Sequence, residues 1–269
     1  MPHRLIQPAS EGAASPLLLG VVHLPALPGS PGFNGDMGAV IAAAVRDAEA
    51  LIHGGMRGFV VENFGDAPFF ADRVPSETIA AMARVLAALP DGDHLVGVNV
   101  LRNDARAALG LAAAFGLHFI RVNVHVGAAV TDQGVIEGRA AETVRARQAL
   151  GADVAILADV DVKHAAPLGP RRPLGTLAEE AVGRGHADGL IVSGSGTGAP
   201  TALDDLRAVK AACPSVPLLI GSGLTLEGAQ EALSVADGAI VGTSLKVDGR
   251  LSAPVDVDRV KALVAAVSQ

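Results

Sequence analysis

Apolar residues in this chain fall into eight short runs, each separated from the next by a stretch of helical period. The runs cover residues 17–24, 58–64, 95–101, 119–125, 154–162, 189–195, 217–224 and 238–245. They are rich in Val, Ile and Leu, the pattern of parallel strands buried on both faces. The first intervening segment, 35–54, places Val40, Ile41, Ala44, Ala48, Leu51 and Ile52 near a period of 3.6. Ser76 and Thr78 open the next, which stops at Pro90. Segments 104–115 and 139–150 end at Gly116 and Gly151, the residue type that closes helices. Segments 176–184, 202–213, 226–236 and 256–267 complete the set. Strict alternation over 269 residues predicts an α/β chain folded as a single (β/α)8 TIM barrel, a domain of about 250 residues. An open doubly wound sheet is the rival, but it rarely shows eight such regular units. Residues 17–269 are assigned to the barrel and 1–16 to a flexible leader.

The last two runs end alike. Pro217-Leu-Leu-Ile-Gly-Ser-Gly-Leu-Thr225 and Gly238-Ala-Ile-Val-Gly-Thr-Ser-Leu-Lys246 are apolar until a glycine, then offer small hydroxyl residues. Successive units of this kind suit a phosphate site at the C-terminal face of a barrel. Glycine lets backbone N–H groups approach the oxygens, and a following helix start adds positive potential. Gly221, Ser222, Gly223, Gly242, Thr243 and Ser244 are therefore the expected phosphate-binding set. Ser193-Gly-Ser-Gly-Thr-Gly198 is a further glycine-rich turn, and its Gly194 and Ser195 are expected to join them or to form a flap. Two ordinary tight turns are the competing explanation.

Composition narrows the partners. Half the chain is hydrophobic and 18% is charged, ample for one large core at this length. A net charge of −7, with no basic stripe interleaved with aromatics, speaks against nucleic-acid binding. The single Cys213 excludes an internal disulfide and a cysteine zinc cluster. No apolar run approaches the ~18 residues of a membrane span, and the first residues lack the apolar core of a signal peptide. A cytoplasmic location is expected. Alanine-rich helices with few charges, such as 105–114, lead us to expect a homo-oligomer, most simply a dimer.

Polar residues inside the runs carry the chemistry. In Phe119-Ile-Arg-Val-Asn-Val-His125 the polar residues alternate with apolar ones, which places Arg121, Asn123 and His125 on one face. The outer face of a barrel lies under apolar helices, so this set is expected to point inward. Asp159, Asp161 and Lys163 repeat the alternation on the fifth run. Asn99, Glu62 and His23 sit at or near the ends of the third, second and first. Asp159, Asp161, Lys163, Asn123, His125 and Glu62 are the candidate catalytic residues; His23, Asn99, Arg121 and Asp132 are further candidates for the cavity. Lys163 reads as a Schiff-base nucleophile, a proton donor or the counter-ion of Asp161. Arg121 is equally a structural partner of a carboxylate, and Asn99 and Asn123 equally ties for loop backbone. No cofactor is evident. His23, Glu62, His125 and Asp159 or Asp161 are of types that suit a divalent metal, but no spacing among them is diagnostic. The loop 126–137, longer than usual for a βα connection, is either a lid or a rigid loop. Leu24 and Leu27 are out of character for the solvated loop in which the sequence puts them.

Several of these segments resemble the BtpA/SgcQ family. They are Val22-His-Leu-Pro-Ala-Leu-Pro-Gly-Ser-Pro31, Val61-Glu-Asn-Phe-Gly-Asp-Ala-Pro-Phe69, Gly97-Val-Asn-Val-Leu-Arg-Asn-Asp104, Ile120-Arg-Val-Asn-Val-His125, Thr131-Asp-Gln-Gly134 and Ala158-Asp-Val-Asp-Val-Lys-His164. The likeness runs from about residue 18 to 246. It implies a ribulose-phosphate-type barrel, in keeping with the phosphate expectation. It also implies an association with photosystem I biogenesis for cyanobacterial members, with peripheral membrane attachment, while other members occur in non-photosynthetic organisms. It implies no general reaction. Two functions are therefore expected in competition: an enzyme acting on a small phosphorylated metabolite, either a sugar or a nucleoside phosphate, and a photosystem I biogenesis or stability factor that uses the barrel as a scaffold.

Overall fold

A computed structural model describes residues 15–162, 164–194 and 201–267. The leader expected at the N-terminus lies almost wholly outside the described residues, as do Lys163 and Ser195.

Eight parallel strands close into a barrel in the order β1 (Leu17–His23), β2 (Gly58–Glu62), β3 (Leu95–Asn99), β4 (Phe119–Val122), β7 (Ala155–Val160), β9 (Gly189–Val192), β10 (Leu218–Ile220) and β11 (Gly238–Val241), with β11 returning to β1. The helices α1 (Met37–His53), α2 (Ser76–Leu86), α3 (Ala105–Phe115), α4 (Ala140–Ala149), α5 (Leu174–Gly183), α6 (Leu203–Ala212), α7 (Ala229–Leu233) and α8 (Val257–Val267) follow the barrel strands in turn. Every expected strand and helix is present. The strands stop short of the apolar runs because the last residues of each run leave the ladder to form the rim.

Alternation divides each strand between two cores. Leu19, Val21, Val60, Leu95, Phe119, Leu157, Ile191, Leu219 and Ile240 pack together inside the barrel, and the intervening Val22, Val61, Val98, Ile120, Ile156 and Ile220 pack under the helices. The inner layer is dense. A Cβ at Gly97 would lie 2.1 Å from the Phe119 ring, so the small residue on β3 makes room for the large one on β4.

The closed end is pinned by a repeated device. Asp188 and Asp237 each precede a strand-opening glycine in the segments Ala187-Asp-Gly189 and Ala236-Asp-Gly238. The Asp237 carboxylate accepts the Leu218 N–H at 2.8 Å and pairs with Lys210 of α6 at 2.7 Å. Asp188 accepts the Ile156 N–H at 2.8 Å and pairs with Arg147 of α4. Asp237 thus satisfies the first donor of β10 and Asp188 the second donor of β7, and each anchors a helix. Asp237→Ala is expected to lose about 2 kcal/mol of stability, since a buried N–H and a half-buried ammonium lose their partner together. Urea unfolding measures this; a loss under about 0.5 kcal/mol, the size of an ordinary surface change, would mean that water replaces the carboxylate.

One element is new relative to the sequence reading. The loop 126–137 is a β-hairpin of β5 (Ala128–Thr131) and β6 (Gly134–Glu137), and β8 (Ala165–Pro167) adds to its other edge. Ala129, Ile136 and Ala165 face inward onto Val124, Val162 and Ala71. The antiparallel sheet sits over the rim and joins the connection after β4 to the one after β7.

Candidate active site

A cavity of about 510 Å³ opens at the C-terminal ends of the barrel strands. Its floor is the topmost inward layer of the barrel. The strand register sets His23 of β1 beside Glu62 of β2, and Glu62 beside Asn99 of β3. Arg121 and Asn123 from β4 and its end continue the ring, with Asp159 of β7 and Ser193 after β9. Gly221 and Gly242 take the same level after β10 and β11. The ring is thus polar on one side and bare glycine on the other.

The polar side is wired around Arg121. Its Nε and Nη2 donate to Asp159 at 3.0 and 2.9 Å, and its Nη1 donates to Glu62 at 3.4 Å. Burial alone would lower the Arg121 pKa, but the charges of Asp159 and Glu62 outweigh it and hold the guanidinium more firmly protonated than usual. Asp159 also accepts from Asn123 Nδ2 at 2.8 Å and Ser193 Oγ at 3.4 Å, and its side chain is fully enclosed. Asn99 Nδ2 donates to Glu62 at 3.1 Å. Neither Asn99 nor Asn123 ties loop backbone. That task falls to Asn63, which binds the Leu101 backbone, and to Asn103, which binds both polar groups of Val124.

Arg102 stands one step past the third run. It is buried and lines the cavity. Burial pushes its pKa down although Asp159 draws it up. The loop after β1 is not solvated: Leu24 and Leu27 are enclosed, and the Leu27 N–H donates to Asp66 at 2.8 Å. Burial raises the Asp66 carboxyl against the lowering effect of that bond.

The glycine side is equally built. A Cβ at Gly221 would lie 2.4 Å from both Ile191 Cγ2 and Ser193 Oγ, and one at Gly242 would lie 2.8 Å from His23 Cε1. Gly223 has a φ of 72°, open to glycine and strained for other residues. Ser244 Oγ donates to the Leu224 carbonyl at 2.8 Å, and the Gly194 N–H donates to Ser222 Oγ at 3.2 Å, so the three rim turns are cross-linked. The expected help from a following helix is absent at β10: α7 begins at Ala229, six positions beyond Gly223, and has only five residues. Potential donors here are loop N–H groups and the hydroxyls of Ser222, Thr225 and Thr243, the Ser244 proton being given to Leu224.

The cavity lining includes His23, Glu62, Asn99, Arg121, Asn123, Asp132, Gly221, Ser222, Gly223, Gly242, Thr243 and Ser244. Asp132 reaches it from the hairpin tip with Gln133, and His164 joins from the β7 side. Asp159, bonded to Arg121, and Gly194, bonded to Ser222, are not in this lining, and two further expected members lie elsewhere. Asp161 leaves the strand with a φ of 53°, which breaks the alternation; it pairs with Arg171 at 2.8 Å and lines a separate cavity under the hairpin. His125 lies beyond the end of β4 at Val122, where alternation no longer applies, and its Nε2 bonds the Gly185 carbonyl at 2.8 Å. Among the described residues no three His, Cys, Asp or Glu side chains stand close enough to share a metal ion. His125 is out of reach, and Asp159 is saturated by donors.

Burial lowers the His125 pKa, against the weaker pull of the Gly185 carbonyl. The folded chain therefore resists protonating it, while the unfolded chain does so near pH 6.5. The unfolded state binds more protons below that pH, so this contribution favours folding above it and is lost as pH falls through it. We expect the stability difference between the parent chain and His125→Phe to shift against the parent between pH 8 and 5. A difference independent of pH in urea titrations would show that His125 charges freely in the fold.

Comparison with known proteins places this geometry. The chain is 45% identical over 253 residues to the photosystem I biogenesis protein BtpA of Synechocystis, covering 94% of this chain and 88% of that one. It is 44% identical to an uncharacterized protein of Pyrococcus furiosus, over 92% of this chain and 93% of the other. Among solved structures, tryptophan synthase of Mycobacterium tuberculosis superposes with a TM-score of 0.59 at 18% identity, covering 95% and 93% of the two chains, a likeness of fold alone. No helix among the described residues is long and apolar enough to cross a membrane. The model of the BtpA family matches residues 14–269, and the chain belongs to that family.

Proposed function

We propose that this barrel is an enzyme acting on a small phosphorylated metabolite, a sugar or nucleoside phosphate. The observation that carries the reading is the division of the cavity floor. Bare glycines at 221 and 242 admit a phosphate to the backbone and hydroxyls of the Gly221–Gly223 and Gly242–Ser244 turns, and ionisable groups face it from the other side. Glu62 is the candidate for proton transfer; Asp159, saturated by donors, orients Arg121 and Asn123. Lys163 and Ser195 stay in the proposal from sequence alone. The test is a thermal-shift screen against phosphorylated sugars and nucleotides, with and without divalent metals. A ligand that binds only the folded state raises the melting temperature by mass action. A complete screen without a shift at millimolar ligand would count heavily against the reading.

The competing role in photosystem I biogenesis draws support from the name of the Synechocystis relative. Identity to the Pyrococcus protein is almost as high, so similarity does not favour that role. A scaffold also has no need of buried polar groups around an open cavity, which are costly unless paired. A homodimer is part of the proposal, and light scattering at micromolar concentration would expose a monomer.

A further inference from the structure

Asn99 and Asn123 stand on neighbouring strands, almost wholly buried, and both line the cavity. Each amide nitrogen is committed to an acid: Asn99 Nδ2 to Glu62 at 3.1 Å, Asn123 Nδ2 to Asp159 at 2.8 Å. An ionised carboxylate only accepts hydrogen bonds, so each acid fixes which way its amide faces and turns the amide oxygen away from itself. Asn123 Oδ1 is enclosed and has no hydrogen-bond partner. Asn99 Oδ1 accepts nothing among the described residues either, but it is not enclosed and opens to the cavity. Arg121, between the two acids, directs its Nε, Nη1 and Nη2 at them. One donor of each amide and three of the five guanidinium N–H groups are directed at the floor's own acids, while two acceptors are left over.

We infer that Asn99 and Asn123 are specificity-determining residues whose amide oxygens accept hydrogen bonds from hydroxyl groups on the part of the ligand remote from its phosphate. The enclosed Asn123 oxygen is costly to leave unmet, and a ligand donor that meets it recovers that cost; the open Asn99 oxygen gains only the ordinary net value of a hydrogen bond. Arg121 balances one of the two acids it bonds, so this part of the floor favours neutral donors over an anion. The ligand class is a polyhydroxylated phosphate monoester, in preference to an apolar one of equal length. The inference rests on the phosphate reading for the orientation of the ligand.

The test uses the full chain and calorimetric titration with inorganic phosphate, the 6-phosphates of sorbitol, mannitol and galactitol, and hexyl phosphate. At least one hexitol phosphate is expected to bind about tenfold or more tightly than hexyl phosphate, the scale of a hydrogen bond to a matched partner. Asn99→Leu and Asn123→Leu should each weaken that ester several-fold, leaving inorganic phosphate and hexyl phosphate within about twofold of the parent, since neither presents a hydroxyl to the floor. If phosphate binds but the parent does not prefer any hexitol ester, or if the variants weaken hexyl phosphate equally, the inference is wrong and the phosphate reading stands. If no phosphate compound binds, both fall. Should a leucine variant fail to fold, the parent's ratio of hexitol to hexyl ester decides by itself.

Discussion

Arg121→Ala is expected to lose about 3–5 kcal/mol of folding stability, the range seen when one partner of a buried charge cluster is removed. The guanidinium is enclosed, and both Asp159 and Glu62 depend on it. Truncation would take from both carboxylates the guanidinium that bonds them. At about 2–4 °C per kcal/mol for a chain of this size, the melting temperature should fall by roughly 10 °C. The paired change Arg121→Met with Asp159→Leu should lose less than the sum of the single changes, because it removes both ends of the strongest pair. Urea unfolding of the three variants decides. A loss under about 1 kcal/mol for Arg121→Ala, the size of an exposed pair, would mean that cavity water already solvates the cluster.

Gly242→Ala is expected to weaken phosphate binding at least tenfold, about 1.4 kcal/mol, while the fold survives. The added methyl would come within 2.8 Å of His23 Cε1, the far end of a ring that can turn aside. It would nevertheless occupy the gap through which an anion reaches the backbone. Gly221→Ala should impair binding and also stability, because its Cβ would meet Ile191 Cγ2 and Ser193 Oγ at 2.4 Å, short branches with little room to move. Titration with inorganic phosphate and urea unfolding separate the two effects. Unchanged phosphate affinity in both variants would remove the glycine turns from the site.

The barrel was legible because its signals are local. Helical period, helix-closing glycines and buried apolar runs each act within a dozen residues. The inward ring was legible for the same reason as far as alternation held: Arg121, Asn123 and Asp159 point where period two puts them. The pattern failed where the chain leaves the strand. His125 follows the end of β4, and the positive φ of Asp161 turns its side chain out of the row. Arg102 follows its strand, where no periodic mark says which way a side chain points. The hairpin left a faint trace, Thr131-Asp-Gln-Gly134 between two short apolar runs, with Gly134 at a φ of 98° in the turn. Its third strand left none, because the partner of Thr131 is Ala165, and only the closed barrel brings the two together.

That third strand bears on how such a chain can be rebuilt. Loops at the open end of a barrel are usually interchangeable parts, each grafted on its own strand without regard to the next. Here the connections after β4 and β7 share backbone hydrogen bonds through the β6–β5–β8 ladder. A transplant of either loop by itself would strand an unpaired edge over the cavity. The smallest portable module is therefore the whole segment from β4 to the start of α5, carried as one cassette.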